Sequence, residues 1–249
     1  MFETGTNQWR KYETWPPKNA EQTTLYFQRS NKLSTKQPPP TSLPAEYDEY
    51  ISDPAKPVPY FDKTHIGMAA EYMTGDQRFA ARRPDVVVYQ TEPLDDDFTI
   101  AGPIDVELHV STTGGDSDWV VKLIDVYPDD YPDPKTNPSN VHMSGYQQLL
   151  RGDVMRGKYR NSYEKPEAFS PDKPEKVKFT LNDCCHTFRT GHRIMVQVQS
   201  TWFPLVDRNP QKFVDIYKAK EEDFQKATQR VYRSSAQASQ ITVWRMPNR

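Results

Sequence analysis

The sequence predicts an all-β fold, a jelly-roll β-sandwich that carries one helix near its C-terminal third. Three observations support it. Apolar residues alternate with a period of two in several short segments, 22 prolines outnumber 10 glycines and cluster between those segments, and aromatic residues make up 12% of 249. Alternation sends successive side chains to opposite faces of an extended chain. Proline donates nothing to a ladder and so marks loops and strand edges. Buried rings remove large apolar areas from water, which offsets a hydrophobic share of only 35%.

The elements follow in chain order. Thr24–Gln28, Tyr47–Ile51 and Val86–Thr91 are short strand candidates. In Thr99–Ser111, Ile104, Val106, Leu108 and Val110 alternate with Asp105, Glu107 and His109, a strand with one wet face. In Asp118–Tyr127, Trp119, Val121 and Leu123 oppose Val120, Ile124 and Val126. Both faces there are apolar, so the strand is central and covered on two sides, and Lys122 and Asp125 need partners. Tyr146–Val154 and Lys176–Leu181 come next, and Arg193–Ser200 repeats the half-wet pattern. Lys218–Arg233 reads as the helix: acids early, bases late, and Phe224, Ala227 and Val231 as a buried stripe. Ile241–Arg245 closes a set of roughly nine to eleven strands, the pattern of an antiparallel sandwich. No repeat or long linker divides the chain, so residues 1–249 are read as one domain.

Charge and composition exclude several roles. Thirty-two basic against 34 acidic residues leave a formal charge of −2 and no field for nucleic acid or an anionic membrane. Mean hydropathy is −0.87, and no run approaches the ~18 apolar residues of a spanning helix. Met1 opens no charged-then-apolar leader.

Reactive groups are sparse. Gly115-Asp116-Ser117-Asp118-Trp119 approaches the G-x-S-x-G elbow of serine hydrolases but ends in tryptophan and leads into a strand. The five histidines and the adjacent Cys184 and Cys185 show no metal-ligand spacing, and the acid runs at 95–97 and 129–130 sit in proline-flanked loops. No catalytic residue, metal or cofactor is expected. Trp202 and Phe203 lie just past a strand end, with Asp207 and Arg208 placed to fix their loop. Two readings stay open for them, a wall of an interface or pocket and a plug over the domain's own core.

One stretch after another resembles a known family: Phe2-Glu3-Thr4-Gly5-Thr6-Asn7-Gln8-Trp9 with Trp15-Pro16-Pro17, Asp53-Pro54-Ala55-Lys56-Pro57-Val58-Pro59, and Asp76-Gln77-Arg78. Arg83-Pro84-Asp85-Val86, the run from Asp116 to Pro128, Gly191-His192-Arg193-Ile194 and Phe203-Pro204 with Asp207-Arg208-Asn209-Pro210 follow in family order. The chain is thus similar to the C-terminal, galactose-binding-like jelly roll of CocE/NonD serine hydrolases, most of all α-amino acid ester hydrolases and glutaryl-7-aminocephalosporanic acid acylases. The resemblance implies that the catalytic Ser, acid and His belong to an α/β-hydrolase domain outside this chain, so the chain alone is expected to be inactive. Its partner is that domain of the same parent, with self-association into a homo-oligomer a further expectation, and the parent is expected to be periplasmic or secreted. The resemblance places Thr64–Asp76 over the substrate pocket, with Ile66, Met68, Tyr72 and Met73 on its rim. Trp202, Phe203, Asp207 and Arg208 are the candidate interdomain contacts. The alternative is a free-standing ligand- or carbohydrate-binding jelly roll, against which Trp9, Trp15, Trp119 and Trp244 fall mostly in apolar patterns or terminal segments.

Overall fold

The computed structural model describes residues 1–40 and 46–248. Strands dominate: β1 (Phe2–Glu3), β2 (Gln8–Trp9), β3 (Glu21–Gln28), β4 (Lys32–Ser34), β5 (Tyr47–Ser52), β6 (Val86–Gln90) and β7 (Phe98–Thr112) in the first half. The second half adds β8 (Asp118–Val126), β9 (Gln147–Arg156), β10 (Glu175–Phe188), β11 (Arg193–Gln199), β12 (Ala227–Ser234), β13 (Gln237–Ala238) and β14 (Gln240–Arg245). A single turn of α-helix, α1, spans Arg78–Ala81.

Pairing runs β13-β12-β7-β14-β3-β4-β6-β11-β8-β9, with β10 on the other edge of β7 and β5 on β12. The ribbon turns over at β4–β6, whose one parallel pair is Lys32↔Gln90, and so makes two layers. Sheet one is β10-β7-β14-β3 with β12 and β5; sheet two is β6-β11-β8-β9. Between them lies one large apolar core. Ile104, Val106, Leu108 and Val110 of β7 meet Trp119, Val121 and Leu123 of β8 and Val196 and Val198 of β11, all closed to solvent. Each such side chain contributes about 1.5–3 kcal/mol by leaving water.

The alternation in β7 is borne out: its even positions from 104 to 110 are buried, while Asp105 faces solvent. β8 is buried from Asp118 to Asp125, as its two apolar faces require. β10 extends well beyond the expected Lys176–Leu181 because a bulge carries it on. Leu181 pairs with Ile104 and Cys184 with Gly102, so β10 holds one residue in excess at Asn182–Asp183.

Two expectations are corrected. Residues 218–233 form no α-helix: short 3-10 helices at Ile216–Lys218 and Glu221–Asp223 precede β12, which pairs with both β5 and β7. The open position between those strands decides the conformation, and β-branched and aromatic residues such as Thr228, Val231 and Tyr232 suit it. β11 is not half wet either; Gln197 and Gln199 are fully buried because loops cover the outside of sheet two.

Candidate functional site

The cover on sheet two is a strap made of residues 58–76 and 200–207. Its two halves hold each other by backbone bonds: Phe203 N donates to Val58 O at 3.0 Å and Tyr60 N to Phe203 O at 2.8 Å. Val58 N also donates to Thr201 Oγ1 at 2.7 Å, and Ala69 N to the Tyr60 hydroxyl at 3.0 Å. Underneath, Tyr60 and Trp202 pack on Val120, Ile124, Leu149 and Met195, the outward residues of sheet two. Tyr60, Tyr72 and Trp202 form an edge-to-face series with centroid separations of 5.3 and 6.1 Å.

Where the strap meets β9 there is a cleft of about 490 Å³. Tyr72, Met73 and Trp202 line it beside Leu149 and Arg151, and the β10 bulge closes one side through Asn182 and Asp183. The structure therefore brings together three residues that the sequence treated as two groups. Ile66 and Met68 are strongly exposed on the strap and do not line the cleft. Trp202 is 5% exposed and does both: it packs on the outward residues of sheet two and forms one wall of the cleft. Phe203 keeps a partly open ring, and the Arg208 guanidinium lies 5.9 Å from it and 4.8 Å from Phe224. Arg208 also donates to Pro54 O at 2.9 Å, and Asp207 O accepts from Arg156 at 3.1 Å, so both fix the loop internally.

Three buried polar groups lie on or close to β8. Lys122 projects outward from β8 beneath the indole of Trp202, with Nζ 5.2 Å from the ring centroid. It donates to Gln77 Oε1 at 2.9 Å, and burial pushes its pKa down to about 7. Gly152 on β9 leaves room for that indole: a Cβ there would stand 2.9 Å from Trp202 Cη2 and 3.3 Å from Lys122 Cγ.

Asp125 points the other way and is shared by two buried imidazoles. His186 Nε2 lies 3.1 Å from Oδ2, and His192 Nδ1 2.9 Å from Oδ1. Burial alone would raise the Asp125 carboxyl, but the hydrogen bonds and charge of both histidines outweigh it and hold it below the usual range. His186 Nδ1 continues to the Thr4 hydroxyl at 2.8 Å. This hydroxyl–imidazole–carboxylate order resembles a hydrolytic trio, yet it is not built to attack a substrate. His186 and Asp125 are closed to solvent, Asp125 is committed to a second imidazole, and the Thr4 hydroxyl also reaches Cys185 O at 3.2 Å. The group ties β8 and β10 to the residues that follow β1 and precede β11.

The third group surrounds Asp116 and Asp118. Arg156 grips Asp118 with two bonds of 3.0 Å, and Asn209 donates to both carboxylates. Burial, then the neighbouring Asp118 charge, raises Asp116 to about 6. Ser117, in the near-elbow motif, is fully buried and bonds Asp118 O and Ser200 Oγ, both at 3.3 Å. Burial pushes the Cys184 thiol up to about 12 and raises Cys185 as well, so neither is a ready thiolate. Among the described residues no group of three His, Cys, Asp or Glu could hold a metal ion, and no helix is long and apolar enough to cross a membrane. The His186–Asp125–His192 group was not assembled from the sequence; the available signal was a carboxylate on the core side of a two-faced strand, which cannot stay unpaired.

Comparison with known proteins places this architecture. A family model described as the X-Pro dipeptidyl-peptidase C-terminal non-catalytic domain matches residues 1–242. The chain is 29% identical over 248 residues to cocaine esterase of Rhodococcus sp. (strain MB1 Bresler), covering 98% of this chain and 41% of that protein. Among solved structures, an aminopeptidase from a marine sediment Thaumarchaeota archaeon superposes with a TM-score of 0.91 at 44% identity, over 99% of this chain and 40% of that one. A selenomethionine-labelled α-amino acid ester hydrolase gives 0.90 at 44% identity, over 98% and 40%. The chain thus spans about two fifths of the length of these relatives.

Proposed function

The chain belongs to the X-Pro dipeptidyl-peptidase C-terminal non-catalytic domain family found in CocE/NonD-type hydrolases, and from that premise we propose that it covers the catalytic domain of a serine hydrolase and forms part of its substrate entrance. The parent would hydrolyse or transfer acyl groups of α-amino acid esters, β-lactam amides or X-Pro peptides through an acyl-enzyme. The nucleophile, base and acid would come from an α/β-hydrolase domain of the same polypeptide. This chain would supply shape.

One observation supports the assignment to substrate access above the others. Tyr72 and Met73 sit on the lip of an open cleft, on a strap whose base is fixed by Tyr60, Trp202 and backbone pairing. A rim must present apolar side chains to the ligand without moving, and fixed aromatic anchors give that at low entropic cost. Ile66 and Met68, exposed on the same strap, belong to the proposal as its outer lip. Trp202, which supports the cleft, acts through Tyr72.

The test is acyl selectivity in the complete protein. Tyr72→Ala and Met73→Ala should change kcat/KM by about tenfold for bulky acyl groups, equivalent to about 1.4 kcal/mol of lost contact, and much less for small ones. A kcat/KM unchanged from wild type for every acyl group would reject the rim assignment. Assayed alone with p-nitrophenyl esters, the chain should give no turnover above buffer. The same proposal includes a periplasmic or secreted parent and its self-association, tested by cell fractionation and by sedimentation of the complete protein.

A further inference from the structure

The geometry points to the edge of the sandwich between β9 and β10 as the surface on which the catalytic domain is seated, with Phe2 and Trp9 as its anchor. This rests on the function proposed above and names the contact surface.

Phe2 and Trp9 face each other across the β1–β2 hairpin, with rings 5.4 Å apart at 63° and exposures of 41% and 80%. Two such rings beside each other in water are unfavourable unless something covers them. The hairpin that carries them is held rigidly. Thr4 N donates to Cys185 O at 3.1 Å and Thr187 N to Thr4 O at 2.9 Å, adding a short parallel bridge to β10. Gly5, at φ +84, lies so close to β10 that a Cβ would stand 2.0 Å from Thr187 O. Glu3, buried beneath the hairpin, is bonded by Thr6 Oγ1 at 2.6 Å and Arg10 Nη2 at 3.3 Å. A fixed, exposed aromatic pair needs no reordering to bind, which is how an interface anchor is built.

The same edge continues past the hairpin. Beyond His186 on β10 comes the bulge at Asn182–Asp183 and then the cleft with Tyr72 and Met73. Met68, on the same strap four residues before Tyr72, is 68% exposed. Size decides that the two patches act together. Two aromatic side chains bury roughly 300–500 Å² between them, short of the ~800 Å² per partner of a standard stable interface. The strap adds further apolar surface, with Met68 at 68% and Met73 at 55% exposure. The outer face of β7 and β10 suits docking less, because Lys176 and Lys178 are paired with Glu107 there at 2.7 and 2.6 Å and would have to be desolvated. As for the occupant, each of three relatives carries about one and a half times this chain's length in further polypeptide. A body of that size in the same molecule is always present to cover an apolar edge.

The experiment places a benzophenone amino acid at position 9, 68, 178 or 217 of the complete parent and maps the photo-cross-links by mass spectrometry. Cross-links from 9 and 68 into catalytic-domain peptides of the same polypeptide, with none from 178, are expected. Cross-links from 9 between two polypeptides would make the edge a contact between copies and overturn the assignment. If 217 reaches the catalytic domain while 9 and 68 do not, the proposed function stands and the edge assignment fails. If no position reaches it, both fail.

Discussion

The outer faces of the two sheets differ more than their strand patterns do. On sheet one the polar residues of β7 and its neighbours stay wet and paired: Lys176 and Lys178 on Glu107, Thr180 on Asp105, Thr24 on Thr242. On sheet two the corresponding positions are sealed beneath the strap, and Lys122, Gln197 and Gln199 are taken out of water with it. Alternation reports which side of a strand is apolar. It does not report whether a loop later closes over the other side, and that closure turns an ordinary surface lysine into a buried one.

The comparison breaks most sharply at Trp202. Trp202→Ala removes the indole that roofs Lys122 and should cost about 4 kcal/mol of unfolding free energy in urea titration; a loss under 1 kcal/mol would mean the strap contributes little. Asp125→Asn tests the inward side of the same strand. Removing the charge between His186 and His192 should cost about 3 kcal/mol. The folded carboxyl lies below its ordinary 3.8, so its stabilisation is complete above that pH and is lost as pH falls through the lower folded value. The variant should lack that acid limb.

Lys122→Met acts in the opposite direction. A well-packed thioether in place of a buried amine should be neutral or stabilising by about 1–2 kcal/mol near pH 7. The wild-type amine titrates near 7 folded and near 10.5 unfolded. The unfolded chain therefore binds more protons between those values, and stability rises with pH across that window. The slope should vanish in the variant, and a slope that persists would assign it to another group. The smallest change is Lys178→Ala on the wet face, where thermal and urea unfolding should shift by less than about 0.5 kcal/mol.

Much of this molecule was legible in advance because β7 and β8 carry unambiguous patterns, one alternating and one with apolar residues on both faces. β12 was not, for a geometric reason. Ala227 and Val231 are four residues apart, a separation that suits one face of a helix and, as twice two, one face of a strand. Gln229 between them is fully buried, like a strand residue, but looks polar in sequence. Tyr72 and Met73 were identified through resemblance, and their convergence with Trp202 depends on a strap crossing β9, which no local spacing encodes. The strand signal in β1 and β2 spans two residues each, too short for any periodicity to register.

The join between the sheets has a mechanical consequence. Their backbones are continuous through the one pair Lys32↔Gln90, while β9 and β10 lie side by side at the opposite margin with no ladder between them. The sandwich is thus built like a book with its spine at β4–β6. Any outward strain would widen the fore-edge first, and a body clamped across that margin would serve as a clasp.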